Sequence, residues 1–351
     1  MTSRDTFAHQ LLAWFDCHGR HDLPWQHPRS PYRVWLSEIM LQQTQVAVVM
    51  PYFQRFVAAL PDLPALAAAD EDAVLALWSG LGYYSRARNL HATARSCMQR
   101  HGGELPRNAE ALMALPGIGR STAGAILAQA WGDRFAILDG NVRRVLCRYH
   151  GVDGWPGLPT VQQHLWELAE SHLPRTRLAD YTQAQMDLGA TVCTRQRPAC
   201  ARCPLARRCV AHATGRTAKL PTPKPGKAIP QREAIVLLLR DAKRRVLLHK
   251  RPTNGVWAAL WSLPQFETFD AAADWHRDRF HGTFDTHAAL PAIRHAFTHY
   301  RLHLQPLQLL VGKPTRTLSD DAALRWFATN ELPDLGIPAP IRTLLNAVLD
   351  D

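Results

Sequence analysis

Two acidic residues in this chain stand where a charge is poorly served. Glu38 lies in residues 32–46, whose spacing predicts a helix with Ser30 as its cap and Pro31 at its first position. Its helical neighbours are Val34, Trp35, Leu41 and Gln42, three of them apolar. A carboxyl so placed tends to keep its proton towards neutral pH, which suits a general acid. The competing reading is an exposed Glu on an amphipathic helix. Asp139 ends the apolar pair Ile137-Leu138 and precedes Gly140, Asn141, Arg143 and Arg144. A carboxylate there is costly without a task or a partner. It can face a cationic transition state on a nucleotide sugar, or cap a helix; both readings stand together, with Asn141 sharing the capping.

The elements around these residues suggest a polyanionic substrate. Residues 115–124 (Leu-Pro-Gly-Ile-Gly-Arg-Ser-Thr-Ala-Gly) read as helix, tight turn, helix, with residues 109–115 as the first helix and Pro116 ending it. Gly117 and Gly119 bracket the turn, and the N–H groups of the following helix start form a nest for a phosphate. A plain helical connection is the alternative. The stripe Gln42, Gln43, Thr44 and Gln45 suits bases and sugars, and residues 80–90 set Tyr83 and Tyr84 beside Arg86 and Arg88. Aromatics next to arginine suit stacking and phosphate contact, though one of the two tyrosines is expected in the core. Gln183 and Asp187 share one helix face.

Cys193, Cys200, Cys203 and Cys209 follow the pattern C-x6-C-x2-C-x5-C, with Arg195, Arg197, Arg202, Arg207 and Arg208 interleaved. Such clustering reads as a metal site. Zinc sites favour two short pairs, and four thiolates suit an iron–sulfur cluster at least as well. Cys17, Cys97 and Cys147 are scattered.

A length of 351 residues predicts two domains. The net charge of +11 favours a polyanionic partner. With no long apolar run or signal core, the expectation is a cytosolic or nucleoid location without membrane association. Residues 5–19, 32–46, 52–79 (two helices), 89–101 and 158–192 read as helical. Residues 216–232 hold four prolines, five Lys or Arg and no acid, and read as a linker. The pattern then becomes α+β: strands at 234–240, 245–250, 293–297 and 300–310, helices at 271–280 and 338–350.

These motifs together resemble the adenine DNA glycosylases of the MutY type, within the endonuclease III-like helix–hairpin–helix superfamily. The resemblance spans nearly the whole chain. It rests on residues 31–46, the hairpin, residues 137–142 and the cysteine spacing. It implies a mostly α glycosylase domain over residues 1–215, with an iron–sulfur loop at 193–209. The linker 216–232 would lead to an α+β Nudix-like (MutT-like) domain over 233–351.

The family's reaction is excision of adenine mispaired with 8-oxoguanine, or guanine, in duplex DNA, here by a monomer carrying a [4Fe-4S] cluster on Cys193, Cys200, Cys203 and Cys209. The resemblance implies that Glu38 protonates adenine, that Asp139 stabilises the oxocarbenium-like sugar and that Asn141 assists it. Gln183 would help hold adenine, and Gln43 and Tyr83 would wedge into the base stack. Gln42, Arg86, Gly117, Gly119 and Arg143 complete the expected DNA contacts. Ser121 stands where strand-cleaving relatives carry lysine; a hydroxyl forms no Schiff base, so a monofunctional enzyme is expected.

The second domain lacks the Nudix metal-binding run, since Glu267 is the only Glu between Leu260 and Asn330. No pyrophosphatase activity is expected. Phe297, Thr298 and His299 resemble the family's Phe-Ser-His reader of 8-oxoguanine, with threonine keeping the hydroxyl. The alternatives are an endonuclease III-like lyase, disfavoured by Ser121 and the second domain, and a non-catalytic DNA-binding protein, disfavoured by Glu38 and Asp139.

Overall fold

The computed structural model describes residues 6–226, 229–280, 284, 289–297, 300–312 and 323–349. Thr298 and His299 therefore lie outside the described residues. The chain forms two compact units, one of residues 1–68 and 89–226, the other of residues 69–88 and 227–351.

The first unit is helical. α1 (Phe7–His18) is capped by Thr6, and α2 (Pro31–Leu41) by Ser30, whose hydroxyl accepts from Arg33 N at 3.3 Å. α2 buries Tyr32, Val34, Trp35, Leu36, Ile39 and Met40, so it is apolar nearly all round. It stops at Leu41, not at residue 46 as expected. Gln43 turns to φ 61°, and α3 (Val46–Ala59) starts afresh from Gln45. The glutamine stripe is therefore a loop. Residues 60–79 hold α4 (Leu63–Ala68) and α5 (Glu71–Trp78), giving three helices where the spacing suggested two; α5 belongs to the second unit. α6 (Ser85–Arg100) begins four residues earlier than expected.

The hairpin forms as read. α7 (Ala109–Met113) and α8 (Arg120–Trp131) flank Gly117, at φ 79°, and Gly119, the cap of α8. Gly124 on α8 permits a close approach: a Cβ there would lie 2.3 Å from the Ala136 carbonyl oxygen. Residues 136–138 thus run directly over α8 and deliver Asp139 to the start of α9 (Gly140–His150).

α10 (Pro159–Ser171) and α11 (Leu178–Asp187) are separated by a break where Arg177 adopts φ 59°. α11 continues as one π-helical turn, Leu188–Val192, and then α12 (Val210–Ala213) closes the cysteine loop. Phe15, Leu146, Leu165, Tyr181 and Leu188 lie in the core shared by α1 and α8 to α11.

In the second unit seven strands form one sheet among the described residues, with central order β3-β2-β1-β6-β5. These are β1 (Gln231–Arg240), β2 (Val246–Lys250), β3 (Trp261–Ser262), β4 (Gln265–Phe266), β5 (Ile293–Ala296), β6 (Arg301–Leu310) and β7 (Leu324–Phe327). β1 and β6 pair in parallel from Gln231↔Arg301 to Arg240↔Leu310, and the other pairings are antiparallel. The Asp241 carboxylate holds the β1–β2 turn, accepting from Lys243 N at 2.9 Å and Arg245 N at 2.8 Å. α13 (Phe269–Arg279) packs on β1 and β4, and α14 (Ala339–Leu349) ends the description.

Candidate active site

A cleft of about 960 Å³ opens in the helical unit, and Glu38, Asp139, Asn141, Ser121 and Gln183 all line it. Glu38 and Gln183, 145 positions apart in the sequence, are thereby brought to one place. α2 supplies Glu38, the N-terminus of α9 supplies Asp139 and Asn141, and α11 supplies Gln183.

The two carboxyls sit in different surroundings. Glu38 is partly buried, and its one charge-relieving contact given by the structure is Gln129 Nε2, which donates to Oε1 at 2.8 Å. Burial, reinforced by the negative charge of Asp139, pushes its pKa up to about 7 despite that hydrogen bond. Asp139 is also pushed upward by burial, but several donors oppose the shift. Its Oδ1 accepts from Val142 N at 2.7 Å, as a helix cap does, and its Oδ2 accepts from Asn141 Nδ2 at 3.1 Å. The Asn141 backbone N–H and the positive charge of Arg144 add to these. The α9 N-terminus further favours a negative charge at that point. Asp139 thus meets more donors that favour a negative charge than Glu38 does. The helix-cap reading of Asp139 is borne out by the Val142 N–H bond.

Asn141 is gripped from its other side by Arg144, whose Nη2 donates to Oδ1 at 2.8 Å. Arg144 also donates to Gly189 O at 2.6 Å and Cys193 O at 2.7 Å. Gly189 has no room for a Cβ, which would sit 2.5 Å from Asn141 Cβ, so the π turn packs tightly on the α9 start. The sequence reading placed Arg143 beside Asp139. The structure places Arg144 there instead, three residues after Asn141 and on the same helix face, while Arg143 reaches Leu138 O at 3.4 Å.

Gln183 is buried and donates from Nε2 to Asp187 Oδ1 at 2.7 Å. Its Oε1 is also buried and has no hydrogen-bond partner among the described residues. Asp187 is clamped by Arg20, through Nη2 at 2.6 Å, Nε at 2.9 Å and the backbone N–H at 2.7 Å. Arg20, Gln129 and Arg144 were not singled out in the sequence. Gln129 had a signal, a polar residue in an otherwise apolar helix; Arg20 had none.

Ser121 Oγ accepts from Leu138 N at 3.0 Å, so it fixes the backbone next to Asp139. Gln42 and Gln43 line the cleft, and Gln43 is exposed. Gly117 and Gly119 are exposed in the hairpin. In the other unit Tyr83 is 45% exposed while Tyr84 is buried. Arg86 is not the phosphate contact expected. Only 6% exposed, it donates to Leu81 O and Gly82 O at 3.2 and 3.1 Å and lies over the rings of Trp78 and Tyr83. Phe297 packs on Tyr300, His295 and Trp257 with ring centroids 4.8, 4.5 and 5.7 Å apart.

Cys193, Cys200, Cys203 and Cys209 line one small cavity together with Arg148, His212 and Thr217. Arg148 is buried against it and donates to Cys193 Sγ at 3.3 Å, Thr194 O at 2.7 Å and Arg195 O at 2.9 Å. Among the described residues, no three His, Cys, Asp or Glu side chains are arranged to hold a metal ion.

A family model described as the HhH-GPD superfamily of base excision DNA repair proteins matches residues 36–171, and a NUDIX domain model matches residues 235–347. The chain is 33% identical over 339 residues to an adenine DNA glycosylase of Buchnera aphidicola subsp. Schizaphis graminum, covering 97% of each. It is 35% identical to the adenine DNA glycosylase of Homo sapiens over 93% of this chain and 70% of that one. Among solved structures, a thermostable thymine-DNA glycosylase matches with TM-score 0.55 and 29% identity over 59% of this chain and 95% of that one. An endonuclease III in a non-covalent complex with DNA shares the fold, with TM-score 0.51 and 22% identity over 59% of this chain and 94% of that one.

The hairpin, the cleft with its two carboxyls and the NUDIX-type second half are those of a helix–hairpin–helix base excision repair glycosylase. More narrowly, the chain belongs to the adenine DNA glycosylases, enzymes that release adenine from DNA by breaking its N-glycosyl bond. No helix among the described residues is long and apolar enough to cross a membrane.

Proposed function

We propose that the enzyme, acting as a monomer, excises adenine paired with 8-oxoguanine, or with guanine, and leaves an abasic site without cutting the strand. The observation that carries this reading is the unequal treatment of two carboxyls in one cleft. This is the pairing of acid and anion that glycosidic cleavage requires.

Protonated Glu38 transfers its proton to adenine N7. The C1′–N9 bond then breaks with its electron pair leaving on the base. Ionised Asp139, held by Val142 N and Asn141, faces the electron-poor sugar. Water adds at C1′, and its released proton restores Glu38. Gln183 accepts from the exocyclic amino group through its unpaired Oε1. Ser121 offers no amine for a Schiff base, so the sugar is not carried on to strand cleavage.

Gly117, Gly119 and Gln42 would contact the backbone, with Gln43 and Tyr83 wedged in the base stack. Phe297, Thr298 and His299 would read the opposite base. The four cysteines suit a [4Fe-4S] cluster: four thiols line one cavity, with a buried arginine donating to one sulfur. When bound, the cluster would tie residues 193–209 into one body. The domain roles follow: residues 1–215 for excision, 216–232 as a linker, 233–351 for reading the lesion.

Single-turnover cleavage of a labelled duplex holding adenine opposite 8-oxoguanine tests the reading. Strand breaks after alkali only are expected. Breaks without alkali would defeat the monofunctional assignment, and none in either case would defeat the substrate.

A further inference from the structure

Residues 69–88 belong to the first half of the chain, yet they fold with the C-terminal residues. α5 buries Val74, Leu75 and Trp78 completely. Gly336 lies so close to this helix that a Cβ on it would sit 2.7 Å from Leu75 Cβ. At the start of α5, Asp72 pairs with Lys250 and accepts from Trp261 Nε1 at 3.3 Å. At its end, the carbonyl of fully buried Ile337 accepts from Ser79 Oγ at 3.2 Å and from the Tyr84 hydroxyl at 3.3 Å. Further on, Arg88 Nη1 donates to Thr253 O at 2.7 Å, in the loop whose Trp257 packs on Phe297.

The turn attached in this way is conformationally demanding. Gly80, Gly82 and Tyr83 have φ of 102°, 71° and 48° in close succession. A tyrosine rarely adopts positive φ, and an exposed one keeps it only where neighbouring structure imposes it. Several bonds hold the turn: Trp78 Nε1 and Arg86 Nη2 each donate to Gly82 O at 3.1 Å, and Gly80 N donates to Tyr84 Oη at 3.3 Å, a hydroxyl that donates onward to Ile337 O. The buried tyrosine is thus a two-bond link between the turn and the C-terminal domain.

We propose that the C-terminal NUDIX-type domain builds the Tyr83 turn through Tyr84 and Gly336, so that the aromatic wedge and the surface that reads the opposite base are positioned together. The proposal rests on the reading of Tyr83 as a wedge given under Proposed function. Tyr84 and Gly336 are positioning residues; neither meets the reacting atoms.

The test uses the full-length chain and its variants Tyr84→Phe and Gly336→Ala. One arm is limited trypsin digestion without DNA, following cleavage after Arg86 and Arg88 by mass spectrometry. The other compares single-turnover adenine release opposite 8-oxoguanine and opposite guanine at saturating enzyme. Both variants are expected to be cut at these arginines at least tenfold faster than the parent. They should also lose at least fivefold of the parent's preference for 8-oxoguanine, with release opposite guanine changed less than twofold. Unchanged digestion in both variants would overturn the anchoring. Faster digestion with an unchanged preference would overturn the link to opposite-base reading. If the parent released adenine from neither duplex, the functional reading would fail, while the digestion arm would still decide whether the C-terminal domain holds the turn.

Discussion

Arg144 Nη2 donates to Asn141 Oδ1 at 2.8 Å, which leaves Asn141 Nδ2 to donate to Asp139 Oδ2 at 3.1 Å. An amide has one carbonyl and one amino end, so the arginine decides which end the carboxylate meets. The same guanidinium group holds Cys193 O and Gly189 O, so the cysteine loop and the Asp139–Asn141 pair share one anchor.

Arg144→Gln removes the charge and most of these bonds. Hydrogen bonds from a charged group contribute about 1.5–3 kcal/mol, so single-turnover adenine release should fall about 10- to 100-fold. Duplex affinity should change much less than the rate. A variant with parental kinetics would show that Asn141 keeps its orientation without Arg144.

With Glu38 as the proposed acid, the pH dependence follows. Its pKa is raised to about 7 by burial first and by the Asp139 charge second. The acid works only while protonated, so the rate should be highest below pH 7 and fall about tenfold per pH unit well above it. Asp139 must lose its proton, and its pKa is also raised by burial, which predicts a second fall on the acid side. The two limbs belong to the pair jointly. Glu38→Gln should lose about 10²- to 10⁴-fold in rate and flatten the alkaline limb. A profile that rises through pH 8 would assign the proton elsewhere.

Gln183 is oriented by its neighbour. Asp187 Oδ1 takes the amide nitrogen, which leaves the buried Oε1 as the free acceptor end among the described residues. That oxygen welcomes an amino group and repels a carbonyl. The parent should therefore release adenine far faster than hypoxanthine from otherwise identical duplexes. Asp187→Asn should narrow this gap about tenfold, since asparagine can present either end and Gln183 can then rotate. It also leaves Arg20 without its charge partner, so circular dichroism must first confirm the fold. An unchanged ratio would mean that Asp187 serves packing alone.

Much of this site was legible because its residues are locally marked. Glu38 announced itself by apolar neighbours at helical spacing, and the hairpin by its two glycines. Asp139 showed its place as a helix cap in the order Leu-Asp-Gly-Asn. The break after Leu41 was hidden, because Gln-Gln-Thr-Gln contains no glycine or proline to mark it. The Arg20–Asp187 pair was hidden for a different reason: 167 positions separate its members, and only packing brings them together. The docking of α5 on the C-terminal domain was equally invisible, since helical periodicity says which face is buried but not against what.

The last prediction concerns a position with no chemistry of its own. Gly124 lies mid-helix in α8, where glycine weakens a helix by roughly 0.5–1 kcal/mol relative to alanine. Gly124→Ala should therefore stabilise the protein on helix propensity alone. The geometry reverses that expectation. The new methyl would sit 2.3 Å from Ala136 O and 3.6 Å from Ile137 Cγ2. Backbone cannot yield as a side-chain tip can, so residues 136–138 must lift from α8. Overpacking of this kind costs about 1–3 kcal/mol, enough to outweigh the propensity gain. The shift passes to Asp139 one residue later, and it strains the Ser121 Oγ bond to Leu138 N. Denaturant titration should show lower stability, and single-turnover adenine release should fall by more than tenfold. Thr122→Ala, on the same helix but with its backbone unchanged, should preserve stability to within about 1 kcal/mol. If Gly124→Ala were instead stable and fully active, residues 136–138 would have room to move, and the delivery of Asp139 by close backbone contact would be wrong.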